Sequence, residues 1–398
     1  MTKTRLTIRF FVYLLFVGAW LPVHADGDEP HRVCEFGDVT LSSDFSAGRM
    51  NACEKLNEGH YAITIDPEDT PPINGSPWYA FSVKSQDEKS ITLDIKYSHF
   101  RHRYWPKVSV NGAGWHRLAQ ENFQLLEDGG ARLSLSIGPN PLLVAGQEIL
   151  TSEFHNDWTK GLAIAQSLDL TVSGQSRQGR DILKTEAAAG NGDRDYIFLV
   201  GRQHPPEITG ALGLISFVET IYDNTELAAR FRENFGIILV PMLNPDGVEA
   251  GHWRHGMGSK DLNRDWGPFT DPETALMRDE LDRFDGDDRL WLFLDFHSTR
   301  PNVLYTQAES EVTNPPLFAV KWTDQVKARL KDYEFERDER PVSELPTSKN
   351  YVYTRFGVPS ITYEVGDETD RAVLANAARV FAEEMMKILL DAKASEGN

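Results

Sequence analysis

Four short, almost wholly apolar runs constrain this chain more than any other feature. They are residues 196–200 (YIFLV), 236–241 (GIILVP), 290–296 (LWLFLDF) and 360–363 (SITY). Runs of this length without polar alternation suit strands covered on both faces, as in a mostly parallel sheet. Between the first two, Ile208, Ala211, Leu212, Ile215, Val218 and Ile221 keep the spacing of a helix with one apolar face. Residues 372–392 repeat that spacing and close the pattern. The expected fold from about residue 168 is α/β, a mixed and mostly parallel sheet flanked by helices.

The preceding part follows a different period. Ile91, Leu93, Ile95 and Tyr97 alternate with Ser90, Thr92, Asp94 and Lys96, and Leu133, Leu135 and Ile137 alternate with Arg132, Ser134 and Ser136. Turn clusters at 66–72 (DPEDTPP), Asn111-Gly112 and Asp128-Gly129-Gly130 separate such stretches. Period two between turns predicts half-buried antiparallel strands, here an all-β sandwich. The expected domains are 26–150 for the sandwich and 151–398 for the α/β unit.

Residues 1–25 are read as a leader. Lys3, Arg5 and Arg9 precede the apolar residues 10–21, and Val23 and Ala25 are small residues before an acidic start. That order describes a secretory signal cleaved after Ala25. Twelve apolar residues reach only ~18 Å as a helix, short of a ~30 Å hydrocarbon core. The mature chain is then expected to be exported, periplasmic or secreted, with no membrane contact. In an oxidising compartment Cys34 and Cys53, the only two cysteines, are expected to pair. The net charge of −19 repels phosphate backbones and excludes nucleic acid as a natural partner.

The chemistry gathers where the apolar runs end. The first run leads to Gly201-Arg-Gln-His204-Pro-Pro-Glu207, and the second to Asn244-Pro-Asp-Gly247, Arg254 and Asp261-Leu-Asn263-Arg264. The third ends in His297 and the fourth in Glu364. Ligands of open α/β sheets bind at the carboxyl ends of the strands, so these residues mark one site. A His-x-x-Glu spacing recurs by chance in large proteins, but here it follows a buried strand and has a second strand-end imidazole. His204, Glu207 and His297 make the donor set of zinc sites that keep one position open. Glu364 stands where a structural strand would carry an apolar residue, and suits a general base. Arg254, Asn263 and Arg264 suit an anionic substrate end, since a guanidinium matches a carboxylate bidentately. Arg254 could also polarise a carbonyl as negative charge develops on its oxygen. Asp261 is read as accepting the spare N–H of a zinc-ligating histidine.

In this order, His204-x-x-Glu207, Asn244-Pro-Asp-Gly247, Trp253-Arg254, Asp261-Leu-Asn263-Arg264-Asp-Trp266, His297 and Tyr363-Glu364 resemble the zinc metallocarboxypeptidases. The short interval between the histidines and the leading sandwich resemble the cytosolic-carboxypeptidase branch, which has bacterial members. The resemblance implies one Zn2+ on His204, Glu207 and His297, with Glu364 as base. It implies Asn263 and Arg264 on the terminal carboxylate of a peptide and Arg254 on the scissile carbonyl. It also places a specificity residue about fifteen positions before Glu364, at Lys349, which favours an acidic C-terminal side chain. Two departures stand out. The position of the family's mobile tyrosine holds Val342, with Tyr351 and Tyr353 as open alternatives, and a leader is foreign to a cytosolic branch. The rival readings are an enzyme trimming cell-wall peptides, an N-acyl amino acid deacylase, and a binding protein that recognises C-termini without cutting.

Overall fold

The computed structural model describes residues 32–112 and 114–396, so the leader lies outside the described residues. The N-terminal part forms two facing sheets of six and five strands. Alternation does the work here: in Lys89–Tyr97, Ile91, Leu93 and Ile95 point into the shared core while Thr92 and Lys96 stay partly exposed. Cys34 and Cys53 form a disulfide between edge strands of the two sheets, with Cα atoms 6.5 Å apart.

One pairing departs from the antiparallel expectation. His60–Ile65 runs parallel to Lys89–Tyr97. The chain between them crosses to the other sheet as Ala80–Ser85 and returns, so it re-enters in the same direction.

The rest of the chain builds an eight-stranded mixed sheet. At its centre Gly236–Val240, Asp195–Gly201, Arg289–Thr299 and Ser360–Gly366 lie side by side and parallel. Antiparallel strands flank them on both sides. An apolar core covers each face, one around Phe217, Trp322 and Phe381, the other around Phe198, Trp266 and Phe293.

Helix Ile208–Ile221 forms as expected but is buried almost all round rather than on one stripe. Its inner side packs on the sheet core through Leu214 and Phe217, while Ile208 and Leu212 join the sandwich core. The helix is the layer between the two parts. The closing helix runs Arg371–Glu396. Among the described residues no helix is long and apolar enough to cross a membrane.

Candidate metal centre and active site

His297 and Glu364 sit on neighbouring parallel strands and are register partners, which puts them side by side. His204 enters from the next strand over, through the turn after Asp195–Gly201. Two features hold that turn. Arg202 takes a left-handed backbone, φ 53°, and its buried guanidinium donates to Pro205 O at 2.8 and 3.2 Å and to Leu150 O at 3.1 Å. Gly210 lets the following helix approach closely, since a Cβ there would overlap the backbone of His297. Glu207, the helix N-cap, is thereby brought against both histidines.

The three donors converge. Glu207 Oε1 lies 2.8 Å from His204 Nδ1 and Oε2 lies 2.7 Å from His297 Nδ1, with the two Nδ1 atoms 3.1 Å apart. The opposite ring nitrogens are held by carboxylates, His204 Nε2 by Asp261 Oδ1 at 2.9 Å and His297 Nε2 by Asp295 Oδ2 at 2.8 Å. A neutral imidazole that donates from Nε2 presents a lone pair at Nδ1. Two such lone pairs and a carboxylate, all buried, repel unless a cation lies among them. The same demand shows in the charges: burial opposes protonation of His297, but Asp295 and Glu207 outweigh it and raise the imidazole well above its usual value. Two His and one Glu, each His backed by a carboxylate, suit zinc.

Around this centre lies a cleft of about 480 Å³, lined by Arg254, Asn263, Arg264, Lys349 and Glu364 with the three donors. Of the residues given a metal, base or substrate role from the sequence, all line it. Asp261 stands behind, bridging His204 Nε2 to Arg254 Nε, the latter at 2.6 Å. Glu364 Oε2 is buried without a hydrogen-bond partner. Burial, reinforced by the charge of Glu207, raises the Glu364 carboxyl to about 7. Such a group is a stronger base than an exposed carboxylate.

Asn263 sits buried, its Oδ1 accepting the Ser348 N–H at 2.9 Å, and Arg264 is exposed at the cleft. Lys349 is buried in the first turn of helix Ser348–Phe356, its Nζ donating to Arg340 O at 2.7 Å. Burial lowers it to about 8. Arg340 also lines the cleft, so this part of its wall is cationic.

The structure adds residues that sequence reasoning missed. Asp295 is the lone charge within LWLFLDF, two positions before His297 and on the same strand face, and that was its available signal. Asn74, Ser76 and Arg103 bring the sandwich to the cleft wall, which no local pattern announces. Neither Tyr351 nor Tyr353 lines the cleft: Tyr351 packs on Phe269, and the Tyr353 hydroxyl donates to Val312 O. Tyr305 does line it, next to Arg340. Val342 is exposed.

A buried His-Glu-His centre, a buried carboxylate beside it and an arginine-lined cleft at strand ends define a site for metal-assisted hydrolysis. Comparison with known proteins specifies the class. The family "Zinc carboxypeptidase" matches residues 156–388, and the chain belongs to that family. It is a zinc metallocarboxypeptidase, a peptide hydrolase that uses one zinc. Cytosolic carboxypeptidase 6 of Caenorhabditis elegans is 23% identical over 344 residues, covering 77% of this chain and 73% of that one. Cytosolic carboxypeptidase 1 of mouse is 41% identical, but over 73 residues, 18% of this chain and 6% of that protein. A metallo-carboxypeptidase structure from Burkholderia cenocepacia shares the fold, with TM-score 0.74, 16% identity, and coverage of 90% of this chain and all of the other.

Proposed function

We propose that the enzyme is exported and removes C-terminal residues from peptides, with preference for acidic ones. The observation that carries the peptide reading is the cleft itself, while export rests on the leader-like pattern of residues 1–25. It sets Arg254, Arg264, Arg340 and Lys349 beside the His204–Glu207–His297 centre, in a chain whose net charge is −19. So much positive charge gathered in one cleft of an acidic protein suits an anionic ligand.

Zinc held by His204, Glu207 and His297 would supply Lewis acidity, which makes water a nucleophile near neutral pH. The protein's own groups do the rest. Arg264, with Asn263, receives the terminal carboxylate and fixes the register of the peptide. Arg254, oriented by Asp261, meets the scissile carbonyl as negative charge builds on its oxygen. Glu364 takes a proton from the attacking water and returns it to the departing amine. Asp261 and Asp295 keep both imidazoles in the tautomer that ligation needs. Lys349 and Arg340 face the departing side chain and favour Asp or Glu there.

The test compares kcat/KM for blocked dipeptides ending in Glu, Leu and Lys, in wild type and in Lys349→Met. The Glu-ending substrate is expected to lead by at least ~10-fold, a 1.4 kcal/mol difference, and to lose that lead in the variant. Leu- or Lys-ending peptides cleaved best, or a Glu preference untouched by the substitution, would remove the acidic preference and leave the hydrolase intact.

A further inference from the structure

One loop of the sandwich grips the segment that carries Arg254. Glu68 follows the strand His60–Ile65, and its carboxylate accepts three successive backbone N–H groups from the other domain. Trp253 donates to Oε2 at 2.7 Å, and Arg254 and His255 donate to Oε1 at 2.8 and 2.7 Å. Its neighbour Asp69 lies 2.6 Å from His255 Nδ1. Trp253 is itself inserted into the sandwich core, where its indole donates to Trp78 O at 3.0 Å and meets Phe100 edge-on. Arg49 ties the two loops together, donating to Asp66 O at 2.6 and 2.8 Å and to Gly251 O at 3.4 Å.

Residues 253–255 belong to no helix or strand. Their backbone course is therefore set by these contacts rather than by a ladder of their own. Asp261 holds the Arg254 guanidinium from the catalytic side, at 2.6 Å. Glu68 holds the Arg254 backbone from the sandwich side. An ionised acceptor makes such bonds shorter and stronger than a neutral carbonyl would.

We propose that Glu68 is a positioning residue for catalysis: the sandwich clamps the Trp253–His255 backbone so that the Arg254 guanidinium is aimed into the cleft. The sandwich is then part of the active site's construction, not a separate module. This rests on the role given to Arg254 above, and the test separates the two.

Glu68→Gln keeps the side chain's size and one oxygen, but turns an NH2 toward a backbone N–H. Glu68→Ala removes the clamp. A misplacement of about 1 Å in a catalytic group can cost ~10²-fold, so kcat is expected to fall ~10-fold in Glu68→Gln and up to ~100-fold in Glu68→Ala. KM should change far less, and zinc content should remain one per chain. In an Arg254→Ala background, itself reduced ~10²–10³-fold, either Glu68 substitution should add almost nothing. If Glu68→Ala does not fold, Glu68→Gln decides. Wild-type kcat in the Glu68 variants, or the same fold-loss in both backgrounds, overturns the clamp while the Arg254 role stands. Full activity in Arg254→Ala overturns that role and the clamp with it.

Discussion

In the sandwich, the strand Lys89–Tyr97 buries Ile91, Leu93 and Ile95, and its one buried charge, Asp94, is answered by Arg132 at 2.7 and 2.8 Å. In the catalytic sheet, Arg289–Thr299 is buried from Leu290 to Ser298 without alternation, Asp295 and His297 included. The first strand can turn a polar side chain to water; the second cannot. Every polar group on the second must find a partner or a ligand inside the protein, because an unsatisfied buried polar group costs ~1–3 kcal/mol, and a charged one more. That is why chemistry collects there, and why substitutions in the two regions should fail in different ways.

The largest effect is expected at the centre. His297→Ala should lose stoichiometric zinc and with it measurable peptide hydrolysis, as should His204→Ala. Metal analysis alongside a peptide assay checks this, and full zinc with full turnover in either variant would break the ligand assignment. Asp295→Asn keeps shape but removes the charge behind His297. A ten- to hundred-fold loss in zinc affinity or activity is expected, the usual worth of a group orienting a ligand.

Away from the Glu68 loop, the sandwich should answer in stability rather than in rate. Cys34→Ser with Cys53→Ser opens a bridge between residues 19 apart in sequence, which in the chain-entropy picture costs about 3 kcal/mol. A lowered denaturation midpoint with unchanged kcat is the expected result. A changed kcat would show that the two regions are less distinct than this contrast holds.

The smallest effect is pH-dependent. His102 lies among Tyr79, Tyr97 and Phe123, its Nδ1 2.9 Å from the Tyr97 hydroxyl and its Nε2 buried without a partner. Burial lowers it from its ordinary 6.5 to about 4. Between those values the unfolded chain binds the proton and the folded one does not. The stability is therefore present above the unfolded value and lost as pH falls toward 4, by up to ~1.4 kcal/mol per pH unit. Urea midpoints at pH 7 and pH 5 should differ more in wild type than in His102→Phe.

What was legible in the sequence follows the same contrast. Both periods were readable because each residue's burial there depends on its own strand. His204, Glu207, His297 and Glu364 stood out because they interrupt or end apolar runs, where polar residues need a reason. Glu68 and Arg103 were not legible. Each sits in an ordinary loop, and its importance comes from a partner 186 residues away in one case and 264 in the other. The parallel pairing of His60–Ile65 was hidden for a similar reason, since alternation reports which face is buried and not which way the neighbour runs. The all-round burial of Ile208–Ile221 arises because the sandwich covers the side that would otherwise meet water.

The central claim is that one metal-bearing centre acts with Glu364 as its base, and Glu364→Gln tests it most directly. The amide keeps the shape and the cleft but cannot take a proton, so zinc should stay at one per chain while kcat falls by ~10²–10⁴-fold, the usual worth of general acid–base catalysis. Near-normal kcat in a zinc-loaded Glu364→Gln enzyme would contradict the account.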